Sequence, residues 1–236
     1  MPALDLRELA RPFGIELTDA QLAAFEMLYH ELLAWNTRVN LTAITEREQV
    51  IVKHFLDALS VAPHLPRTGS PRVIDVGTGA GLPGIPLKIA LPHLRLTLVE
   101  TTGKKVEFLQ HAITQLALRD TLAIQARAED LGHEPTQRAQ YDAATARAVA
   151  NLATLLEYTL PFVRVGGIFI AQKGIAVTDE LAAATRALAV LGGRVREIVP
   201  VQLPGLEPRH LILIEKIAAT PASYPRRAGT PTRKPL

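Results

Sequence analysis

Short apolar blocks alternate with stretches of helical periodicity along most of this 236-residue chain. The blocks fall at 73–76, 95–99, 121–125, 141–146 and 167–172, and the helical stretches at 84–91, 103–117, 151–162 and 178–191. Buried parallel strands read as such continuous apolar runs, and each needs a crossover helix before the next. The alternation therefore predicts a parallel α/β sheet. Two further blocks, Arg194–Gln202 and Arg209–Glu215, have only a short loop between them. No crossover helix fits there, so these strands are expected to pair antiparallel. The expected fold class is α/β, a doubly wound sheet closing on an antiparallel last strand.

The flanks read differently. Residues 1–70 have helical spacing throughout and form a helical N-terminal extension. Thr18 with Gln21 reads as a capping box, and Leu22, Phe25, Leu28, Leu32 and Trp35 follow to about Asn36. Thr45 with Glu48 repeats the signal ahead of Val50, Ile51, Phe55, Leu56 and Leu59, and Pro63 ends that helix. The polar stretch from Asn36 to Thr42 is a loop, and Pro66 to Pro71 a linker into the sheet domain, 71–216. Residues 217–236 carry Pro221, Pro225, Pro231 and Pro235 with Arg226, Arg227, Arg233 and Lys234, and no acid. That composition predicts a flexible basic tail, free to reach phosphates.

Chemistry concentrates after the first strand, in Val73-Ile74-Asp75-Val76-Gly77-Thr78-Gly79-Ala80-Gly81-Leu82-Pro83-Gly84. Glycines at alternate positions allow a sharp turn and a close approach by a ligand. Two templates fit. Gly79-x-Gly81-x-x-Gly84 matches the dinucleotide fingerprint, with Glu100 near the place of a ribose-binding acid. Asp75, Gly77, Gly79 and Gly81 instead match acid-x-Gly-x-Gly-x-Gly, which resembles the first motif of class I S-adenosylmethionine-dependent methyltransferases. Charge favours the second, because a carboxylate beside the turn suits an ammonium and a sulfonium better than a pyrophosphate.

Further candidates lie at the carboxyl ends of later strands, where ligands of open α/β sheets bind. Glu100, followed by Thr101 and Thr102, is placed to accept both ribose hydroxyls. Ala128 and Glu129 are placed to read an adenine edge. Arg147 falls just past the fourth strand, its competing reading being an ion pair with a neighbouring carboxylate. His54, similarly, is either a site residue or a satisfied helix residue.

Composition removes several classes. The chain has no cysteine, so disulfides, thiolate zinc sites and a cysteine nucleophile are excluded, and its seven histidines show no metal spacing. No apolar run reaches transmembrane length and no signal peptide precedes the helices, so a soluble cytoplasmic monomer is expected. The formal net charge of +3 is uneven. Residues 1–70 hold six Lys/Arg against nine Asp/Glu, residues 71–216 sixteen against fourteen, and the last twenty four against none. Nucleic-acid contact must then come from a local patch plus the tail.

Taken together, Asn40-Leu41-Thr42-Ala43-Ile44, His54-Phe55-Leu56-Asp57-Ala58-Leu59, the glycine segment, Val99-Glu100, Phe108-Leu109, Ala146-Arg147-Ala148-Val149, Gln172-Lys173-Gly174 and Arg209-His210 resemble the GidB/RsmG family. These are bacterial 16S ribosomal RNA guanine-N7 methyltransferases with a Rossmann-like fold. The resemblance implies S-adenosyl-L-methionine held by Gly77, Leu82, Glu100 to Thr102, Ala128, Glu129 and Arg147. The glycine motif adds Asp75, Gly79 and Gly81 to that set. The resemblance also implies a guanine near the decoding site of the small ribosomal subunit, or of its assembly intermediate, as target. Arg147 and Lys173 are assigned to the catalytic crevice, with Lys173, Arg209 and His54 on the RNA side and no metal. The tail beyond Ile217 lies outside the family pattern. Ala58 and Thr101 stand where serine is frequent. The Asn/Asp-Pro-Pro-Tyr/Phe signature of exocyclic-amine methylation is missing after the fourth strand, where Ala-Arg-Ala-Val stands instead. A non-enzymatic rRNA-binding assembly factor and an NAD-dependent oxidoreductase remain the alternatives.

Overall fold

The computed structural model describes residues 4–147, 150–174 and 177–236, so Ala148 and Val149 of the fourth candidate segment fall outside the described residues. Seven strands, β1 (Arg72–Val76), β2 (Arg95–Glu100), β3 (Thr121–Gln125), β4 (Tyr141–Arg147), β5 (Val163–Lys173), β6 (Gly193–Val201) and β7 (Arg209–Lys216), form one sheet in the order β3-β2-β1-β4-β5-β7-β6. β1 pairs parallel with β2 on one side and β4 on the other, and β4 with β5. β7 runs antiparallel to both β5 and β6, as the short 202–208 connection requires. The sequence order reverses between β1 and β4. The strand ends there open a crevice, the ligand position of doubly wound sheets.

Helices cover both faces. α1 (Leu6–Ala10), α2 (Asp19–Asn36) and α3 lie on one face, with α4 (Gly84–Ala90) and α5 (Gly103–Gln115). α3 joins Arg47–Val50, a wide turn Ile51–Leu56 and Asp57–Leu59. Leu28, Phe55 and Leu59 share an apolar cluster with Leu96, Leu98, Ala143 and Ile170 of the sheet, so residues 1–70 are a layer of the core. The Thr18–Gln21 capping box forms with both of its hydrogen bonds. The second box does not, because Glu46 rather than Thr45 caps α3, accepting from Glu48 and Gln49 N–H. Within α3 the Asp57 N–H reaches the Val52 carbonyl, an i→i+5 bond that widens the helix by one residue.

The other face carries α6 (Ala128–Leu131), α7 (Leu152–Thr159) and α8 (Val177–Leu191). Against it lies the segment that composition reads as a flexible tail. Residues 217–236 instead pack on α6 and α7 and end in a short helix, α9 (Thr230–Arg233). The cause is a set of polar anchors presented by the domain. Glu157 is fully buried on α7 and accepts four hydrogen bonds from Arg226, one from its N–H and three from its guanidinium. Arg138 donates to the carbonyls of Thr220, Pro221 and Tyr224, and Thr154 Oγ1 to that of Pro231. Arg226, expected to reach phosphates, is therefore committed internally, and Arg233 Nε donates to Gly229 O at 3.2 Å.

A buried carboxylate whose only cationic partner is removed is strongly destabilising. Arg226→Met should lower the unfolding free energy by about 3–5 kcal/mol in urea titrations. The double change with Glu157→Leu should recover most of that loss. A cost below about 1 kcal/mol for the single variant would show that Glu157 is hydrated rather than sealed by the tail.

Candidate active site

The glycine turn is held from beneath. Asp75 is completely buried at the end of β1 and accepts from Thr78 Oγ1 at 2.6 Å, Gly84 N–H at 2.9 Å and Thr145 Oγ1 at 3.2 Å. Burial pushes its pKa up to about 6, the three hydrogen bonds and Arg147 opposing. It does not line the cavity, contrary to the expectation that it meets a ligand ammonium. Its carboxylate occupies the N–H at the start of α4 that a pyrophosphate would need. Gly81 is also a packing residue, since a Cβ there would meet Ile85 Cδ1 at 2.4 Å. Gly79 differs: its φ is +58° and nothing lies within 4 Å of where a Cβ would stand.

Above the turn lies a cavity of about 610 Å³, within the range of small-molecule sites. Gly77, Thr78, Gly79, Ala80 and Leu82 form its floor, and Glu100, Thr101, Thr102, Ala128 and Glu129 one wall. Glu100 Oε1 accepts from the N–H groups of Thr101 and Thr102, both at 2.8 Å, and Oε2 from Gly79 N–H at 3.1 Å. Burial alone would raise its pKa, but hydrogen bonds from Thr102 and Thr101 and the charge of Lys105 hold it below the usual carboxylate value. Glu100 is thus a fixed, ionised acceptor with lone pairs left for a ligand. Glu129 accepts from Gly229 N–H at 2.8 Å, and Tyr158, Gly229 and Thr232 complete that end.

The opposite end is cationic. Arg147 leaves β4 and donates through Nη1 to the Lys53 carbonyl and to Asp57 Oδ2, both at 3.0 Å. It therefore makes the ion pair offered as its competing reading and still lines the cavity. His54, also at this end, is buried. Its Nδ1 meets the Lys53 carbonyl at 3.1 Å and its Nε2 the Thr42 hydroxyl at 2.9 Å. A carbonyl partner requires the proton on Nδ1, so Nε2 accepts. Desolvation first, and Arg147 second, lower its pKa to about 4, leaving the ring neutral at physiological pH.

Beyond Arg147 a recess of about 150 Å³ opens between Asp57, Gln172, Lys173, Arg209 and His210. Arg209 Nη1 stands 3.8 Å from Asp57 Oδ1, and Gln172 Nε2 donates to Asp57 while its Oε1 is buried without a hydrogen-bond partner among the described residues. Lys173 Nζ donates to Ala150 O and pairs with Glu180, both at 2.7 Å. It borders the recess, where Arg147 also stands, and does not line the main cavity, which Arg147 alone of the two reaches.

Residues 21–212 match the family model described as GidB, rRNA small subunit methyltransferase G. The chain belongs to the GidB family. Curated relatives named ribosomal RNA small subunit methyltransferase G agree over nearly the whole length. The protein of Roseiflexus castenholzii is 50% identical, with 98% of this chain and 99% of that one covered, and that of Roseiflexus sp. strain RS-1 is 52% identical, with 98% of each covered. Coverage this complete brings most of residues 217–236 into the shared length, so the tail is not foreign to the relatives. Solved structures support the fold alone. The SAM-dependent O-methyltransferase of Thermotoga maritima is 16% identical with a TM-score of 0.53, covering 82% of this chain and 72% of that chain. The precorrin-6y C5,15-methyltransferase of Geobacter metallireducens is 16% identical with a TM-score of 0.52, covering 67% and 87%. This GidB protein is thus a methyltransferase with the class I sheet.

Sequence reasoning missed Asp57, Gln172, Tyr158, Gly229 and Thr232 as site residues. Asp57 stood inside a quoted motif and carried a signal, an acid in an otherwise apolar helical run. Gly229 and Thr232 had none, because their place depends on the docked C-terminus, and Tyr158 had none within its helix.

Asp75 gives a pH-dependent prediction. Its folded pKa, about 6, lies above the ordinary 3.8, so the folded state holds the proton more tightly. This contribution to stability is full below pH ~4 and is lost as the pH rises through about 6. Urea unfolding of wild type and Asp75→Asn at pH ~4.5 and ~7.5 should show wild type gaining about 2 kcal/mol on the variant at the lower pH. An identical difference at both values would mean that Asp75 is ionised at no unusual cost.

Proposed function

We propose that this GidB methyltransferase binds S-adenosyl-L-methionine in the main cavity and methylates N7 of a guanine in 16S rRNA, near the decoding site of the small ribosomal subunit. The observation that carries the proposal is the joining, through Arg147, of a carboxylate-bearing cavity to a cationic recess. The family description and the relatives' names support rRNA as the acceptor and the cytoplasm as its place. The donor set fits the cofactor. Glu100 offers fixed acceptors to ribose hydroxyls, the open face of Gly79 admits a close ligand, and Glu129 faces the far end. A dinucleotide fits poorly, because Asp75 already occupies the Gly84 N–H at the start of α4.

The bound cofactor supplies an electrophilic methyl on a sulfonium. Glu100, the open face of Gly79 and Glu129 would hold the cofactor, and it would supply that methyl to guanine N7, whose lone pair carries no proton, so no side chain would be needed as a base. The protein's part is then positioning and electrostatics. Arg147 and Arg209 present N–H donors toward the guanine O6 edge or a phosphate, and Asp57 offsets one of their two charges as positive charge develops on the base. His54, neutral and held between Thr42 and the Lys53 carbonyl, lines the cavity as a fixed ring, and the direct transfer asks no proton of it.

Calorimetry should show binding of S-adenosylmethionine and none of NAD, and Glu100→Ala should weaken the former by about 1.5–3 kcal/mol. Micromolar NAD binding, with none for S-adenosylmethionine, would overturn the proposal. Mapping of methylated guanines in 16S rRNA from cells with and without the protein separates an enzyme from a binding-only factor.

A second prediction follows from the neutral histidine. General-base catalysis contributes about 10²–10⁴-fold and leaves a rising limb in the pH–rate profile. Single-turnover transfer on small-subunit particles should be flat between pH ~6 and ~9. His54→Ala and His210→Ala should each stay within about tenfold of wild type, below that range. Arg147→Ala should fall further, because it removes the charge at the joint of cavity and recess and leaves Asp57 with Arg209 at 3.8 Å as its cationic partner. A steep rise with pH that vanishes in either histidine variant would defeat direct transfer to N7.

A further inference from the structure

We propose that the docked C-terminal segment, residues 217–236, completes the adenine end of the cofactor cavity. Gly229 and Thr232 act there as positioning residues that set the preference for adenine over other bases. The proposal rests on the reading of the main cavity as an S-adenosylmethionine site. Its physical basis is a short chain of hydrogen bonds that leaves the C-terminus and ends in the cavity wall.

Gly229 donates its N–H to Glu129 Oε1 at 2.8 Å, and the Tyr158 hydroxyl lies close enough to the same carboxylate for Glu129 to add to the rise that burial causes in its pKa. One oxygen is fixed by the backbone, and the carboxylate lines the cavity wall. Adenine presents an exocyclic N6 amine, a donor that a fixed carboxylate accepts; hypoxanthine presents an O6 acceptor there, which the same carboxylate repels. The Gly229 backbone has a φ of +78°, a left-handed turn that aims its N–H at Glu129, and no neighbour crowds the Cβ position. Glycine is needed for the turn, not for packing. Next to it the hydroxyls of Tyr158 and Thr232 are 2.8 Å apart, closing the same end from α7 and α9.

This arrangement does not lie loosely on the surface. Arg226, three residues before Gly229, is locked to the buried Glu157, and His133 Nε2 meets the Pro225 carbonyl at 2.7 Å. Pro231 is buried, with its carbonyl held by Thr154. The anchors fix the register, so Gly229 can meet only Glu129.

The experiment is equilibrium binding of S-adenosylhomocysteine and S-inosylhomocysteine to the full chain, to a chain ending at Ala219, to Gly229→Pro and to Glu129→Gln. A melting curve is recorded for each. Wild type should prefer the adenosine compound by at least tenfold. Truncation and Gly229→Pro should each weaken S-adenosylhomocysteine at least tenfold and bring the preference close to one. Glu129→Gln should also reduce the preference, and should change it less than twofold further in the Gly229→Pro background. A purely structural role would lower the melting temperature and leave the ratio of the two affinities unchanged, and that result overturns the proposal. If the truncated chain does not fold, an unchanged ratio in full-length Gly229→Pro overturns it equally. Failure of wild type to bind either compound would instead overturn the cofactor site itself.

Discussion

A carboxylate sealed beneath the glycine turn fixes the geometry on which the whole site depends. Asp75 accepts from the turn at Thr78, from the first turn of α4 at Gly84 and from β4 at Thr145, so one side chain ties three elements to the end of β1. Taking an ionised carboxylate out of water is costly, which its raised pKa records. The three donors offset that cost only when the turn is wound as observed, and other turn conformations leave the group unpaired. The same contact also selects the ligand class. A helix start already occupied by a protein carboxylate presents no free donor to a phosphate, and the cavity floor is left to neutral glycine and threonine backbone.

A second tie places the helical layer over the crevice. Arg147 reaches from β4 into α3, bonding the Lys53 carbonyl and Asp57, and Gln172 of β5 bonds the carbonyl and side chain of the same Asp57. The widened turn at Ile51–Leu56 serves this arrangement. An unbroken α-helix rotates each residue by about 100° relative to the last, and one extra residue in the turn changes which side chains face the sheet. His54 and Asp57 both point into the crevice while Phe55 and Leu59 stay in the core. Charge is thereby concentrated on one face of a layer that is otherwise apolar.

Much of this was legible in the chain, and the limits have physical causes. Strand positions, the antiparallel pairing of β6 and β7, the Thr18 capping box and the convergence of Gly79, Glu100, Glu129 and Arg147 follow from short-range pattern plus the rule for sheet crevices. Local signals failed where two neighbours competed to cap one helix. Thr45 and Glu46 can both accept from a helix start, and the longer carboxylate reached two N–H groups. They failed also where direction mattered. A motif places Asp75 beside the turn and cannot say whether it faces ligand or core, and here burial decides. Arg147 admitted an ion pair or a ligand contact as alternatives, and the structure provides the pair at the cavity wall.

The C-terminus is the clearest case of tertiary context overriding composition. Proline and unpaired arginine signal a loose segment because they offer little apolar surface to bury and no backbone ladder. What orders residues 217–236 is a set of polar groups left unsatisfied in the domain without them. Glu157 is buried on α7, and Lys216 donates to the carbonyls of Leu160 and Leu191 at the ends of α7 and α8 as well as to Thr220. Lys216 stands at two helix C-termini, where the macrodipoles favour a cation, while burial first and Arg138 second pull its pKa down to about 7. Its bond to Thr220 sets where the chain departs from β7. Apolar docking tolerates sliding, since one methyl group substitutes for another. A segment tied to Lys216 at one end and to Glu157 further along is held at two separate points, and sliding it by one residue breaks both. Polar anchoring is what gives a proline-rich segment a register, and that register carries Gly229 to Glu129 at the cavity wall.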